Sequence, residues 1–172
     1  KVFNPDRPFD AQNREQQVDN YNPDKPDAES YRKARLLALL QMTYVGAPMI
    51  YYGDEVGLWG SDDPNNRKPM LWEDLQPYDE PGMEVMPDQL DFYRRAIAIR
   101  NTYPALRRGS IETVLVDDEQ DTWAFVREFD GQRVLVTINA SNTDAVITLP
   151  ESLGTGWTRA LVEPGEAPMD WP

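Results

Sequence analysis

The sequence predicts an α/β segment followed by an all-β module, and the pattern changes near residues 104–108. Before this boundary a helix, a tight turn and a short apolar run follow one another, which is half of a βαβ unit. After it, short runs rich in β-branched and aromatic residues alternate with turn signals. That second pattern is typical of a small antiparallel sandwich.

Residues 28–44 are predicted to form the first helix, because Asp27 is a good N-cap and Gly46 follows the last apolar residues. The second half of this helix is apolar nearly all round, so we expect it to be buried. The next apolar run, residues 48–52, is bounded by Gly46 and Gly53, and its length predicts a buried strand. A strand that is apolar on both faces suits a parallel sheet covered by helices.

A second helix is predicted over residues 88–101, with Pro87 in its first turn and Pro104 after its end. Its apolar residues recur every three or four positions, as an amphipathic helix requires. Asp130-Gly131 is a strong hairpin signal in the region that follows. The predicted strands there are residues 111–116, 122–129, 133–139 and 144–149, with a fifth at 158–162.

The composition excludes several classes of function. A formal net charge of −13 argues against nucleic acid and anionic membranes as partners, and leaves neutral partners such as sugars open. Without cysteine or histidine, neither histidine-based triads nor thiol chemistry is available. Any acid–base chemistry must therefore use carboxylates, Tyr or Lys.

The beginning of the sequence is a polar stretch, residues 1–26, that we read as a long loop without a signal segment. We expect the chain to be part of a longer protein. The compartment stays open between cytoplasm and periplasm.

The predicted strand at residues 48–52 leads into an acidic turn with glycines at both ends, Gly53 and Gly57. The alternative to a functional turn is that these glycines only shape it while Asp54 and Glu55 are solvated. Asp54 and Glu55 are adjacent, so on an extended chain they would point opposite ways. They are therefore not a candidate catalytic pair.

Asp63 and Arg67 are four residues apart, on a turn restricted by Pro64. A carboxylate beside a guanidinium makes a fork suited to sugar hydroxyls, and the alternative is a structural ion pair. The spacing also hints at a calcium loop, but Lys68 stands where such a loop needs glycine. We therefore expect no metal and no cofactor.

These two stretches carry a resemblance to a known family. They read G-A-P-M-I-Y-Y-G-D-E-V-G-L-W-G over residues 46–60 and D-D-P-N-N-R-K-P-M-L-W over residues 62–72. The pair resembles the α-amylase superfamily, glycoside hydrolase family thirteen, and in particular its cyclomaltodextrinase, neopullulanase and maltogenic amylase branch.

The resemblance implies a (β/α)8 barrel followed by a C-terminal antiparallel β-sandwich. Residues 1–106 would then hold the seventh helix, the eighth strand and the eighth helix of the barrel, and residues 107–172 the sandwich. A complete barrel needs roughly 250 residues, whereas about 105 precede the predicted sandwich. We therefore expect an incomplete barrel.

The resemblance also implies retaining hydrolysis of α-1,4 and often α-1,6 links in cyclodextrin, pullulan or starch. In the family order the nucleophile and the acid/base lie upstream of residue 1, so the chain alone should hold no catalytic residue and be inactive. Asp63 and Arg67 match a family Asp and Arg that contact glucose units. Trp59 is a candidate stacking face for a sugar ring, and the alternative is a packed loop aromatic.

Other readings stay open at this point. A carbohydrate-binding or structural module is the main alternative, because the β region holds Trp123, Phe125 and Trp157. Trp123 and Phe125 alternate onto one face, and a core position is the simpler explanation of both. Another member of the superfamily, such as an exo-enzyme or a transglycosylase, is a further possibility. The expected partners are an α-glucan oligosaccharide and a second copy, bound through the exposed barrel edge.

Overall fold

The computed structural model of the protein describes residues 24–60 and 66–161. Most of the predicted N-terminal loop, Asp63 and the end of the predicted fifth strand lie outside these ranges. The described helices are α1 (Ala28–Thr43), α2 (Pro87–Thr102) and α3 (Pro104–Arg108), and the strands are β1 (Ser110–Asp117), β2 (Thr122–Phe129) and β3 (Gln132–Asn139). None of these helices has the length and apolar character needed to cross a membrane.

The chain divides into two compact units. Unit 1 comprises Lys1–Leu39 and Met49–Arg94, and unit 2 comprises Leu40–Pro48 and Arg95–Pro172. The divisions fall inside α1 and α2, so each helix contributes residues to both units.

Helix α1 begins where the sequence predicts. The Asp27 carboxylate accepts a hydrogen bond of 2.8 Å from the backbone N–H of Ser30, which confirms the N-cap. This bond lowers the pKa of Asp27. The expected burial of the second half is wrong in part, because Met42 is buried whereas Leu37 is 52% exposed. In the second half of α1, one face of the helix is buried by described residues and the other face is exposed.

The core of unit 1 is built from its loops. Val56, Leu71 and Val85 are buried together, and five partly buried side chains pack on them: Leu58, Met70, Tyr78, Met83 and Leu90. The Tyr31 hydroxyl of α1 donates to the Gly57 carbonyl at 2.7 Å. These contacts hold the acidic turn against the first half of α1.

Unit 2 contains an antiparallel meander in the order β1-β2-β3. Strands β2 and β3 pair continuously from Thr122↔Asn139 to Phe129↔Gln132. Asp130 and Gly131 between them both have positive φ, 51° and 76°, as the predicted tight hairpin turn requires. The meander buries the centre of β2, where Ala124 and Phe125 are each 0% exposed.

Two predicted strands are absent from the described structure. Residues 48–52 form no regular secondary structure and pair with no described strand, and Met49, Tyr51 and Tyr52 are 71%, 42% and 41% exposed. A strand exists only through hydrogen bonds to a neighbour, and no neighbour is described for this run. Residues 144–149 also form no strand, and residue 158 makes only a single bridge.

The carboxyl end of α1 is held by two buried arginines within unit 2. Arg100 donates to the carbonyls of Met42 (2.7 Å), Tyr44 (3.2 Å) and Gly46. Arg127 donates to the Thr43 carbonyl at 2.6 Å and, from its other nitrogens, to the carbonyls of Ser110 and Gly109 at 2.9 Å each. The last carbonyls of a helix lack intrahelical partners, so these guanidinium groups satisfy them.

Replacing Arg127 with Met should therefore destabilise the protein strongly. Arg127 is 1% exposed, and its replacement removes its hydrogen bonds to three carbonyls. We expect the free energy of unfolding in urea to fall by about 2–4 kcal/mol. The control is Arg108→Met, on the exposed side of α3, which should cost no more than about 0.5 kcal/mol. Equal losses in the two variants would contradict this account of Arg127.

Candidate functional site

The acidic turn depends on its two glycines. Gly53 and Gly57 have φ of 94° and 77°, a region that side chains with a Cβ rarely adopt. A Cβ on Gly57 would also lie 2.4 Å from the Met86 sulfur. The two glycines therefore shape the turn, as both readings of the sequence require.

The two carboxylates of this turn have different surroundings. Glu55 folds back, and its carboxylate accepts a 2.9 Å hydrogen bond from the N–H of Gly53. Asp54 lies at the surface, yet partial desolvation, assisted by the nearby Glu55 charge, raises its pKa to about 6. Burial likewise raises the pKa of Tyr93 to about 12, and the negative charges of Asp54 and Glu55 add to that rise.

Arg67 follows this turn on an exposed loop. Its predicted partner Asp63 lies outside the described residues, so the fork of Asp63 and Arg67 stays a prediction. The backbone beside Arg67 is fixed, because the Tyr52 hydroxyl donates to the Lys68 carbonyl at 3.0 Å. Through this bond the end of the 48–52 run is joined directly to the loop that carries Arg67.

Trp59 is 6% exposed in this structure. The ammonium groups of Lys68 and Lys25 lie 4.7 and 5.4 Å from the centre of its ring. A sugar could stack on the Trp59 ring only if a lysine moved away. The geometry therefore favours the alternative, in which Trp59 is a packed aromatic of the loop. Sugar stacking by Trp59 stays a prediction.

The lysines around Trp59 were not singled out by the sequence. Lys68 pairs with Glu80 at 2.8 Å, and Lys25 pairs with Glu84 at 3.3 Å. The two pairs join residues 12 and 59 positions apart, so no local spacing signals them. Among residues 24–60 and 66–161, no group of three or more acidic side chains is placed to hold a metal ion.

The chain is similar to enzymes that act on α-glucans. It is 37% identical to neopullulanase 2 of Thermoactinomyces vulgaris over 131 residues, which cover 75% of this chain and 21% of that protein. It is 36% identical to a cyclomaltodextrinase of Geobacillus thermopakistaniensis over 126 residues, 73% of this chain and 20% of that protein. The chain thus spans about a fifth of the length of these relatives. No family model matches it.

A solved structure agrees with these relatives. The cyclic α-maltosyl-(1→6)-maltose hydrolase from Arthrobacter globiformis, in complex with cyclic α-maltosyl-(1→6)-maltose, superposes with a TM-score of 0.55 and 37% identity. The match covers 65% of this chain and 23% of that one.

Together these likenesses show that the chain belongs to the α-amylase superfamily of glycoside hydrolases. Its relatives are neopullulanases, cyclomaltodextrinases and maltogenic amylases, which is the branch that residues 46–60 and 62–72 predict. The resemblance read from the sequence is confirmed.

The raised pKa of Asp54 gives a pH dependence with a definite sign. The folded-state pKa of about 6 exceeds the ordinary value of 3.8, so folding favours the protonated carboxyl. Its contribution to stability is complete below pH 3.8 and is lost as the pH rises through 6. Relative to an Asp54→Asn variant, the wild-type chain should therefore lose free energy of unfolding between pH 4 and 7.

Carbon-13 NMR of the Asp54 carboxyl measures the same effect directly. The titration midpoint should lie near 6 and should fall in a Glu55→Gln control, because that change removes the neighbouring charge. A midpoint near 3.8 in the wild-type chain would show that Asp54 is not desolvated.

Proposed function

We propose that this chain is the C-terminal part of an α-glucan hydrolase that cleaves α-1,4, and also α-1,6, glucosidic bonds of cyclodextrin, pullulan or starch with retention. Residues 1–106 would complete the catalytic (β/α)8 barrel, and residues 107–172 would form the following β-sandwich. The likeness to neopullulanase and cyclomaltodextrinase over about three quarters of the chain supports this proposal.

Within this chain, the proposed role is to hold the sugar. Arg67 lies exposed on a loop that the Tyr52 hydroxyl ties to the end of the 48–52 run. A guanidinium presents several N–H donors in a fixed plane, so it suits neighbouring sugar hydroxyls. The anchored loop with Arg67 at its surface is the observation that carries this role, and Asp63 is the proposed second contact.

The alternative, a β module that binds glucan through its aromatic residues, is weakened by the burial of Phe125. Phe125 is 0% exposed, and its ring centre lies 4.7 Å from that of Trp123. The centre of the Tyr44 ring lies 6.0 Å from that of Trp123 and 6.1 Å from that of Phe125. Phe125 is therefore a core residue that offers no face to a sugar, whereas Trp123 is partly buried and Tyr44 is 41% exposed.

The exposed run in unit 1 supports a further part of the proposal. Met49, Tyr51 and Tyr52 leave large apolar surfaces open along a segment without a described strand neighbour. In the proposed barrel these residues would lie at an open strand edge, which favours pairing with another chain. We infer self-association of the isolated chain through this edge.

Replacing Arg67 with Ala should weaken the binding of maltotriose to the 172-residue chain. Loss of charge-assisted hydrogen bonds of about 1.5–3 kcal/mol corresponds to a dissociation constant roughly 10 to 100 times higher. Isothermal titration calorimetry measures it, with Arg32→Ala as control, since Arg32 is exposed but pairs with Glu29 on the first turn of α1. Undiminished binding by Arg67→Ala would remove the proposed sugar contact.

The chain alone should not hydrolyse cyclodextrin. A retaining glycosidase needs two carboxyl groups about 5–5.5 Å apart, and both belong upstream in the family order. A reducing-sugar assay with β-cyclodextrin should show no more product than buffer. Turnover that disappears in an Asp54→Asn or Glu55→Gln variant would place catalytic groups inside this chain and refute the proposal.

A further inference from the structure

Lys68, the residue after Arg67, is held at both its main chain and its side chain. Its carbonyl accepts the Tyr52 hydroxyl at 3.0 Å. Its ammonium donates to the Glu80 carboxylate at 2.8 Å and lies 4.7 Å from the centre of the Trp59 ring. Three different segments of unit 1 therefore restrain one residue.

This degree of restraint is unusual for a lysine on a loop. Lysines on surfaces normally keep the charged end in water and remain free to change rotamer. The side chain of Lys68 is only 20% exposed, and the Trp59 ring below it is 6% exposed. A cation over an indole that is screened from water is held more firmly than one at an open surface.

We propose that Lys68 is a positioning residue for Arg67, one that fixes the loop so that the guanidinium meets the hydroxyls of a bound α-glucan. The inference rests on the proposed function, because it assigns Lys68 a role that is exerted through the sugar contact of Arg67. Lys68 has its own partners in Glu80 and Trp59, so it acts without touching the sugar. Small displacements of a contacting group cost much of its binding, which is why an anchor beside Arg67 matters.

Lys25 provides a matched control in the same unit. Its ammonium also lies over Trp59, at 5.4 Å, and it also pairs with a carboxylate of the 80–84 segment, Glu84, at 3.3 Å. It donates in addition to the Gly82 carbonyl at 2.9 Å. The decisive difference is that Lys68 adjoins Arg67 along the chain and Lys25 does not.

The test is a double-mutant cycle on the 172-residue chain with maltotriose, measured by calorimetry. Lys68→Met should raise the dissociation constant about fivefold, whereas Lys25→Met should change it less than about twofold. Lys68→Met should have no further effect in an Arg67→Ala background, because a positioning residue has nothing left to position. Lys68→Arg, which keeps the charge over Trp59, should restore binding to within about twofold of wild type.

The outcomes separate this inference from the proposed function. If Arg67→Ala leaves maltotriose binding unchanged, the sugar contact fails and the positioning role fails with it. If Arg67→Ala weakens binding and Lys68→Met does not, only the positioning role is overturned. Equal losses in Lys68→Met and Lys25→Met would reduce Lys68 to a general stabiliser.

A second variant covers the case in which Lys68→Met does not fold. Glu80→Gln removes the same ion pair from its other end, at a carboxylate that is 47% exposed. Its circular dichroism should match the wild-type spectrum, and its affinity for maltotriose should fall in the same direction. Unchanged affinity in folded Glu80→Gln would overturn the role given to the pair.

Discussion

The structure of unit 2 depends on guanidinium groups that satisfy the carbonyl end of α1. Arg127 joins the Thr43 carbonyl to those of Gly109 and Ser110, where β1 begins. Burial lowers the pKa of Arg127, and the like charge of Arg100 lowers it further, so placing the two cations together has an electrostatic cost. The negative end of the helix dipole and the hydrogen bonds to the carbonyls at the end of α1 offset that cost.

In unit 1 the contacts between distant segments come from two lysines that pair with carboxylates. Lys25 and Lys68 each combine an acidic partner with the face of Trp59, so neither ammonium relies on a single contact. Because the carboxylates of Glu80 and Glu84 are 47% and 64% exposed, the two ion pairs contribute little by themselves. Their value comes from tying together loop segments that no regular secondary structure connects.

Whether the sequence could predict a feature depends on how far apart along the chain the interacting residues lie. The N-cap at Asp27 and the turn at Asp130-Gly131 are local, and the structure has both. The strand predicted over residues 48–52 failed because a strand requires hydrogen bonds from neighbours, which no periodicity can supply. Arg127 lies in an alternating strand pattern, and nothing nearby in sequence signals that its side chain meets a carbonyl 84 residues away.

The same distinction explains why the loop that carries Arg67 can be held in place although no strand is described over residues 48–52. The turn at Gly53 and Gly57 is fixed by backbone conformation and by Met86 within unit 1. The backbone after Arg67 is fixed by Tyr52, and the side chain of Lys68 by Glu80 and Trp59. Since each of these restraints comes from residues 52–86, the geometry around Arg67 is encoded beside it. The conformation of the loop around Arg67 thus does not require a strand over residues 48–52.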